Sequence, residues 1–466
     1  MSRCEVTRVK SIDMLSDDVL LAVFDFCASE NSLLFAKRHE IEAWHSLVHV
    51  CQRWRSIVFA SPRRLNLQLF CTEGTPKDAL DAWPAFPLLI SSSLCTGGLD
   101  NLIALLELSD RVCQIRFRSR LFDVKTLLKA MQKPFPELTN LVLWSHYQLP
   151  LLPDSFLGGS APRLRHLWLD GIQLRGLPEL LLSTTHLFSL SLENIPQSWY
   201  ILPEAMVTVL STLTSLGLLC LRFDSPRSRP DQASRHPPSL TRSSLPVLEI
   251  LEFKGTSEYF EDLVARIDVP QLSTLDITFS DQIISDTPQL AEFIYRTPKL
   301  KVFKNVSFVS NFNAAGVTLS SGWPVSTVKI SFEGSDRQLS SLAQIITSSL
   351  LSLSTLEDFY IYNIYVGQYP HMYRQNNINI MAWLELLHPF TGVKNLYLSN
   401  QSIPHIAPVL QELVDGRSTE VFPALQNIFL EELLSSGSVH EGIEQFVAAR
   451  QVTSQPINIA CWERRK

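Results

Sequence analysis

Eleven histidines and eight cysteines are the side chains of this 466-residue sequence best suited to acid–base, nucleophilic or metal chemistry, and none is spaced for it. The cysteines, at positions 4, 27, 51, 71, 95, 113, 220 and 461, include no C-x-x-C pair, and the histidines are scattered singly. Val439-His440-Glu441-Gly442-Ile443-Glu444 begins like a zinc-protease helix but lacks the second histidine that would hold the ion. No G-x-x-x-x-G-K-[ST] loop cradles a phosphate and no G-x-S-x-G elbow presents a serine. The expectation is a protein that is not an enzyme, with no cofactor and no metal. The chemistry it does carry is that of recognition, in aromatic and aliphatic side chains at regular spacing.

Bulk properties narrow the partners. Apolar residues make up 45% of the chain and charged residues 18%, a globular composition with ample material to bury. The net charge of -6 provides no general attraction to phosphate backbones or anionic lipid, so neither nucleic acid nor membrane is expected as a partner. Scattered thiols read as small buried hydrophobes, without an obligate disulfide partner. The first residues carry Arg3, Glu5, Arg8 and Lys10 and no apolar h-region, and no apolar run reaches membrane-spanning length. A cytoplasmic and/or nuclear location follows as an expectation.

The residues able to make contacts need elements to hold them. From Ile12 the chain reads IDMLSDDVLLAVFDFC, with Ser16 as N-cap and Asp17 and Asp18 in the first helical turn. Leu20, Val23, Phe24 and Cys27 follow at helical spacing. After a polar insert near 30–42, AWHSLVHVCQRWRSIVFASP puts Trp44, Leu47, Cys51, Trp54 and Val58 on one stripe and stops at Pro62. Periodicity alone fits an ordinary helical hairpin packed on itself.

Leu15-Ser16-Asp17-Asp18-Val19-Leu20 … Val23-Phe24, followed by Val50-Cys51-Gln52-Arg53-Trp54-Arg55, resembles the F-box. In that family the pattern is Leu-Pro-x-Glu-Leu-Leu-x-x-Ile-Phe and then Val-Cys-(basic)-x-Trp-Arg. Ser16 stands here in place of the usual proline, and the insert between the halves is longer than usual. The resemblance implies docking to the adaptor subunit of SCF-type ubiquitin ligases and, through it, to a cullin-RING scaffold. The residues implied to bind the adaptor are Leu15, Val19, Leu20, Val23, Phe24, Leu47, Val50, Cys51, Trp54 and Arg55.

Beyond Pro62 an apolar anchor with apolar residues three and five positions later recurs at Val112, Leu138, Leu164, Leu187, Leu216, Leu248, Leu272, Leu300, Val325, Leu356, Val393 and Leu425. Only Leu300 breaks the pattern, with Asn305 at the second offset. The mean spacing lies near the top of the leucine-rich-repeat range. Pro136, Pro162, Pro246, Pro270, Pro298 and Pro423 precede six anchors and mark a helix end turning into a strand. The asparagine or cysteine usual after the last core leucine of such repeats is absent at all twelve turn positions, so no ladder is expected there.

The fold class expected is therefore α/β: a short N-terminal all-helical F-box, then an irregular leucine-rich-repeat solenoid with a parallel inner sheet and outer helices. The boundaries are a tail at 1–10, the helical module at 11–62 and the solenoid at 63–466. The Pro-, Ser- and Arg-rich stretch at about 224–244 reads as a disordered loop, and about 435–466 as a cap or tail.

Residues four beyond each anchor point away from the core, and Tyr360, Tyr397 and Phe429, with Tyr362 beside them, form an aromatic strip at the C-terminal end. Either the strip binds a target protein or EGIEQFVAAR folds back and buries it. Trp144 and Trp168, beside Arg116 and Arg118, form a second target-binding candidate. Three roles remain open: a substrate adaptor for protein ubiquitination and proteasomal degradation, an F-box scaffold or regulator without a degradation role, and a free-standing leucine-rich-repeat binding protein.

Overall fold

The computed structural model describes residues 15–29, 43–61, 65, 67–94, 98–119, 124–145, 155–172, 177–196, 200–224, 242–280, 287–310, 314–321, 326–333, 338–349, 353–363, 380–414, 419–431, 441–453 and 455–462. The chain divides into two compact units, residues 1–166 with 174–176 and residues 167–173 with 177–466.

The first unit opens with helices α1 (Asp17–Ser29), α2 (Ala43–Val48) and α3 (Gln52–Ala60). The Ser16 hydroxyl accepts the Val19 N–H at 3.4 Å, so the helix starts where its capping residue directs. Strands β1 (Leu69–Cys71), β2 (Leu88–Leu94), β3 (Val112–Ser119) and β4 (Asn140–Ser145) then pair in parallel in chain order. Parallel neighbours need a crossover, and α4 (Leu99–Leu106) and α5 (Val124–Ala130) supply it after β2 and β3. Phe59 of α3 packs on Trp83 and Phe86, with ring centres at 6.3 and 5.6 Å, joining the helices to the strands within one unit. The repeat pattern missed β1 and β2, whose buried residues include Leu69, Cys71, Leu88 and Ile90.

The second unit carries strands β5 (His166–Asp170), β6 (Ser189–Ile195), β7 (Leu218–Phe223), β8 (Ser243–Ser244), β9 (Ile250–Gly255), β10 (Ile267–Asp268), β11 (Thr274–Phe279), β12 (Asn305–Ser310), β13 (Ala314–Ser320), β14 (Thr327–Glu333), β15 (Asp358–Asn363), β16 (Asn395–Leu398), β17 (Asn427–Glu431) and β18 (Asn458–Trp462). The helices are α6 (Leu177–Leu182), α7 (Pro203–Leu210), α8 (Ser257–Val264), α9 (Pro288–Arg296), α10 (Gln338–Ser349), α11 (Ile380–Leu387), α12 (Ile403–Gln411) and α13 (Glu441–Val452). The main sheet runs β5-β6-β7-β9-β11-β14-β13-β12-β15-β16-β17-β18, and β8 and β10 form a separate parallel pair. Strands such as β9 and β11 alternate buried and half-buried residues, as a sheet with one covered face requires. The covered face is aromatic: Phe253 packs on Phe260 of α8 at 4.8 Å and Phe308 on Trp383 of α11 at 4.8 Å.

Three expectations are corrected. The sheet is mostly but not wholly parallel, because β13 runs antiparallel between β14 and β12. Leu300 is not a strand anchor: it is buried in the 3-10 turn Pro298–Leu300, and Phe303, Val306 and Phe308 supply the inward residues instead. Asn305 at the failed offset was the sign of that shift. The loop expected at 224–244 is shorter at its end, since Ser243 and Ser244 form β8 and Arg242 donates to the Ala265 carbonyl at 3.2 Å; residues 225–241 lie outside the described residues.

Candidate interaction surfaces

In the first unit, α1 has two apolar faces. Leu20 and Phe24 are fully buried, Phe24 against Trp54 with ring centres 4.8 Å apart. Val19, Val23 and Phe26 lie about 100° round the helix from them. They are 45%, 43% and 70% exposed, with Leu15 (37%) at the helix start and Val50 (58%) beyond α2. Cys51 caps α3, its sulfur accepting the Trp54 N–H at 3.4 Å. Arg53 bonds the Asp17 carboxylate and the Leu15 carbonyl, each at 2.6 Å, tying α3 to the start of α1. Arg55 donates Nε to the Val48 carbonyl at 3.0 Å.

These contacts sort the ten residues implied for adaptor docking. Leu15, Val19, Val23 and Val50 present apolar surface, Arg55 is exposed, and Leu47, Cys51 and Trp54 are half-buried. Leu20 and Phe24 are fully buried in the core of the helical module. Phe26 also lies exposed, an aromatic residue out of phase with the Leu20–Phe24 stripe.

In the second unit, the half-buried face is a series of side-chain rows in register. One row reads Ser191, Cys220, Glu252, Asp276, Lys329, Thr318, Ser307, Tyr360, Tyr397, Phe429 and Ala460 across β6 to β18. Ser307 replaces the expected Lys304, which precedes β12. The centre is charged and self-neutralised: Arg222 pairs with Glu193 and Glu252, Lys329 with Asp276, and Lys254 with Glu333.

The C-terminal end is aromatic. Tyr360 and Tyr397 stack at 4.2 Å and 12°, Tyr397 and Phe429 at 4.6 Å and 9°, and Tyr362 lies 5.9 Å from Tyr360. Stacking follows from identical register on parallel strands about 4.8 Å apart. Burial pushes the Tyr360 phenol above the ordinary tyrosine range, with the Tyr397 phenol and the Asp358 carboxylate adding to it. Tyr397 is raised for the same first reason and by Asp358.

Beside this stack runs a second ladder. Asn395 Nδ2 donates to Asp358 Oδ1 at 2.8 Å, Asn427 Nδ2 to Asn395 Oδ1 at 2.8 Å, and Asn458 Nδ2 to Asn427 Oδ1 at 3.3 Å. An amide ladder therefore exists, on the open face at the strand starts rather than in the turns after the strands.

EGIEQFVAAR does not cover the strip. It forms α13, which packs on α12 in the helical layer: Gln411 donates to Gln445 at 3.1 Å, and Ile443 and Phe446 are buried. Arg450 pins it there, fully buried, donating to the Phe422 carbonyl at 2.5 Å and to Gln455 at 2.7 Å. What reaches the strip is Trp462 of β18, whose ring centre lies 5.6 Å from Tyr397 and 6.2 Å from Tyr360 and Tyr362. Tyr360, Tyr362, Tyr397 and Phe429 are consequently half-buried in a shared stack. Of the other candidate, half-buried Trp144 stands in register with Arg118 in the first unit, while Trp168, also half-buried, belongs to the second.

Among the described residues, no group of three or more His, Cys, Asp or Glu side chains could hold a metal ion, and no helix is long and apolar enough to cross a membrane. Cys71, Cys113 and Cys220 are buried free thiols, and burial pushes them up to about 11, 12 and 12. No family model matches the chain, and no curated protein matches it either.

Proposed function

We propose that this chain is a non-catalytic recognition subunit of an SCF-type ubiquitin ligase. Helices α1 to α3 form an F-box that docks the adaptor subunit, and the strands beyond form a leucine-rich-repeat array that holds a target protein. The observation that carries the reading is the second apolar face of α1. Leu15, Val19, Val23, Phe26 and Val50 stay at the surface of a small helical module whose core Leu20, Phe24 and Trp54 already fill. Exposed apolar residues grouped on one helix face mark docking surfaces. The stacked aromatic end of the second unit is the target face, because aromatic anchors dominate interface energetics. Work by such a subunit requires no catalytic residue; it raises the concentration of target beside the transfer machinery.

The test is capture of purified adaptor by the full chain. Val19→Asp/Val23→Asp is expected to abolish capture while circular dichroism and melting stay near wild type. Trp54→Ala is expected to cost about 3 kcal/mol of stability, since it opens a cavity against Phe24. Undiminished capture by the folded Asp double variant would refute the docking face.

A further inference from the structure

The cations on the strands behave differently in the two units. In the second, Arg222, Lys254 and Lys329 are the strand cations, and each has a carboxylate partner. In the first, β1 to β4 read LFC, LLISSSL, VCQIRFRS and NLVLWS: two arginines and no acidic residue. Arg116 and Arg118 stand two apart on β3, so their side chains leave the same face with origins about 6.6 Å apart. Arg116 is half-buried and donates to the neutral Gln114 Oε1 at 3.4 Å, and Gln114 in turn donates to Gln68 Oε1 at 3.2 Å. Burial lowers the Arg116 pKa and the Arg118 charge lowers it further, and among the described residues neither arginine has a carboxylate in an ion pair with it. Val142 stands in register with Arg116 and Trp144 with Arg118, giving the pair an apolar flank.

Elsewhere the fold answers a strand cation with a cross-strand carboxylate; here it leaves that position to something else. We propose that the first unit's open sheet face binds an extended acidic peptide segment of the target, whose carboxylates at alternate residues pair with Arg116 and Arg118. An extended chain repeats its side chains on one side every second residue, with the same spacing as the two arginines. Charge-assisted bonds between guanidinium and carboxylate then replace the weak Gln114 contact and remove the repulsion between the two cations. The proposal deepens the reading of the chain as a target-holding subunit, but its test needs no adaptor, so the two can fail separately.

The probe is a fluorescein-labelled peptide of alternating Glu and Thr, titrated with the full chain and followed by anisotropy. Its counterpart with Gln for Glu is the control. The Glu peptide is expected to bind and to weaken as salt is raised, and the Gln peptide to bind at least about tenfold more weakly. Arg116→Gln/Arg118→Gln should lose the preference for Glu, whereas Lys329→Gln, which removes a cation already paired, should keep it. Equal binding of the two peptides to the wild-type chain overturns the proposal without reference to any variant. Displacement of the Glu peptide by a single-stranded oligonucleotide of equal charge at lower concentration also overturns it, because the site would then favour phosphate.

Discussion

Asn395 and Asn427 each donate to one neighbour and accept from the next, so the amide ladder is a chain in which every inner member has two cross-strand bonds. Replacing Asn427 with Ala removes both bonds, leaving the half-buried Asn395 acceptor and the exposed Asn458 donor without them. A loss of about 1–2 kcal/mol in urea denaturation is expected. The tyrosines beside the ladder make a prediction with a fixed sign. Tyr360 and Tyr397 have pKa values raised in the folded state, so above the ordinary tyrosine value near 10 the unfolded chain loses protons that the folded chain keeps. Their contribution is therefore fully present below pH 10 and is lost as pH rises through the folded values. The wild-type chain should lose more stability between about pH 9 and pH 11 than Tyr360→Phe/Tyr397→Phe. A double variant with the same alkaline slope as the wild type would show that the phenols are not held neutral by the stack.

At the scale of elements, the repeats bring chain segments into close approach at their turns. Gly392 sits just before β16, and a Cβ built there would lie 1.9 Å from the Ser354 carbonyl oxygen, a backbone atom that cannot swing aside. Gly392→Ala is expected to cost about 2–3 kcal/mol in chemical denaturation, in the range of overpacked cores. The inserted antiparallel strand β13 is the other feature of this scale. Its inward Ala315, Val317 and Leu319 alternate as a strand should, yet no proline or leading leucine announces them. A pattern built on P-x-L-x-x-L-x-L steps over such a strand, and only backbone pairing reveals it.

Two compact units in one chain imply two cores, and strands stacked in series transmit stability mainly to their neighbours. Phe117, buried in the first unit, and Phe253, buried in the second, give each core a probe. Phe117→Ala and Phe253→Ala should each shift a different part of the denaturation curve, read by fluorescence and far-UV circular dichroism together. One coincident transition in both variants would show that the chain unfolds as a single unit.

The helical start at Ser16, the α/β class, most strand positions and the three-ring stack of Tyr360, Tyr397 and Phe429 were legible in the sequence. They rest on local rules: capping, apolar periodicity and a repeat that places equivalent residues side by side. The Leu300 anchor failed because periodicity cannot tell a buried helix end from a strand start when both are apolar. Leu20 and Phe24 were grouped with Val19 and Val23 because a sequence marks apolar residues without saying which face meets the protein's own core. The amide ladder and the reach of Trp462 to the strip depend on register between strands some thirty or more residues apart, as Trp462 on Leu398 shows. Those pairings exist only once the sheet has formed, so the tertiary structure alone decided which surfaces are closed and which stay open.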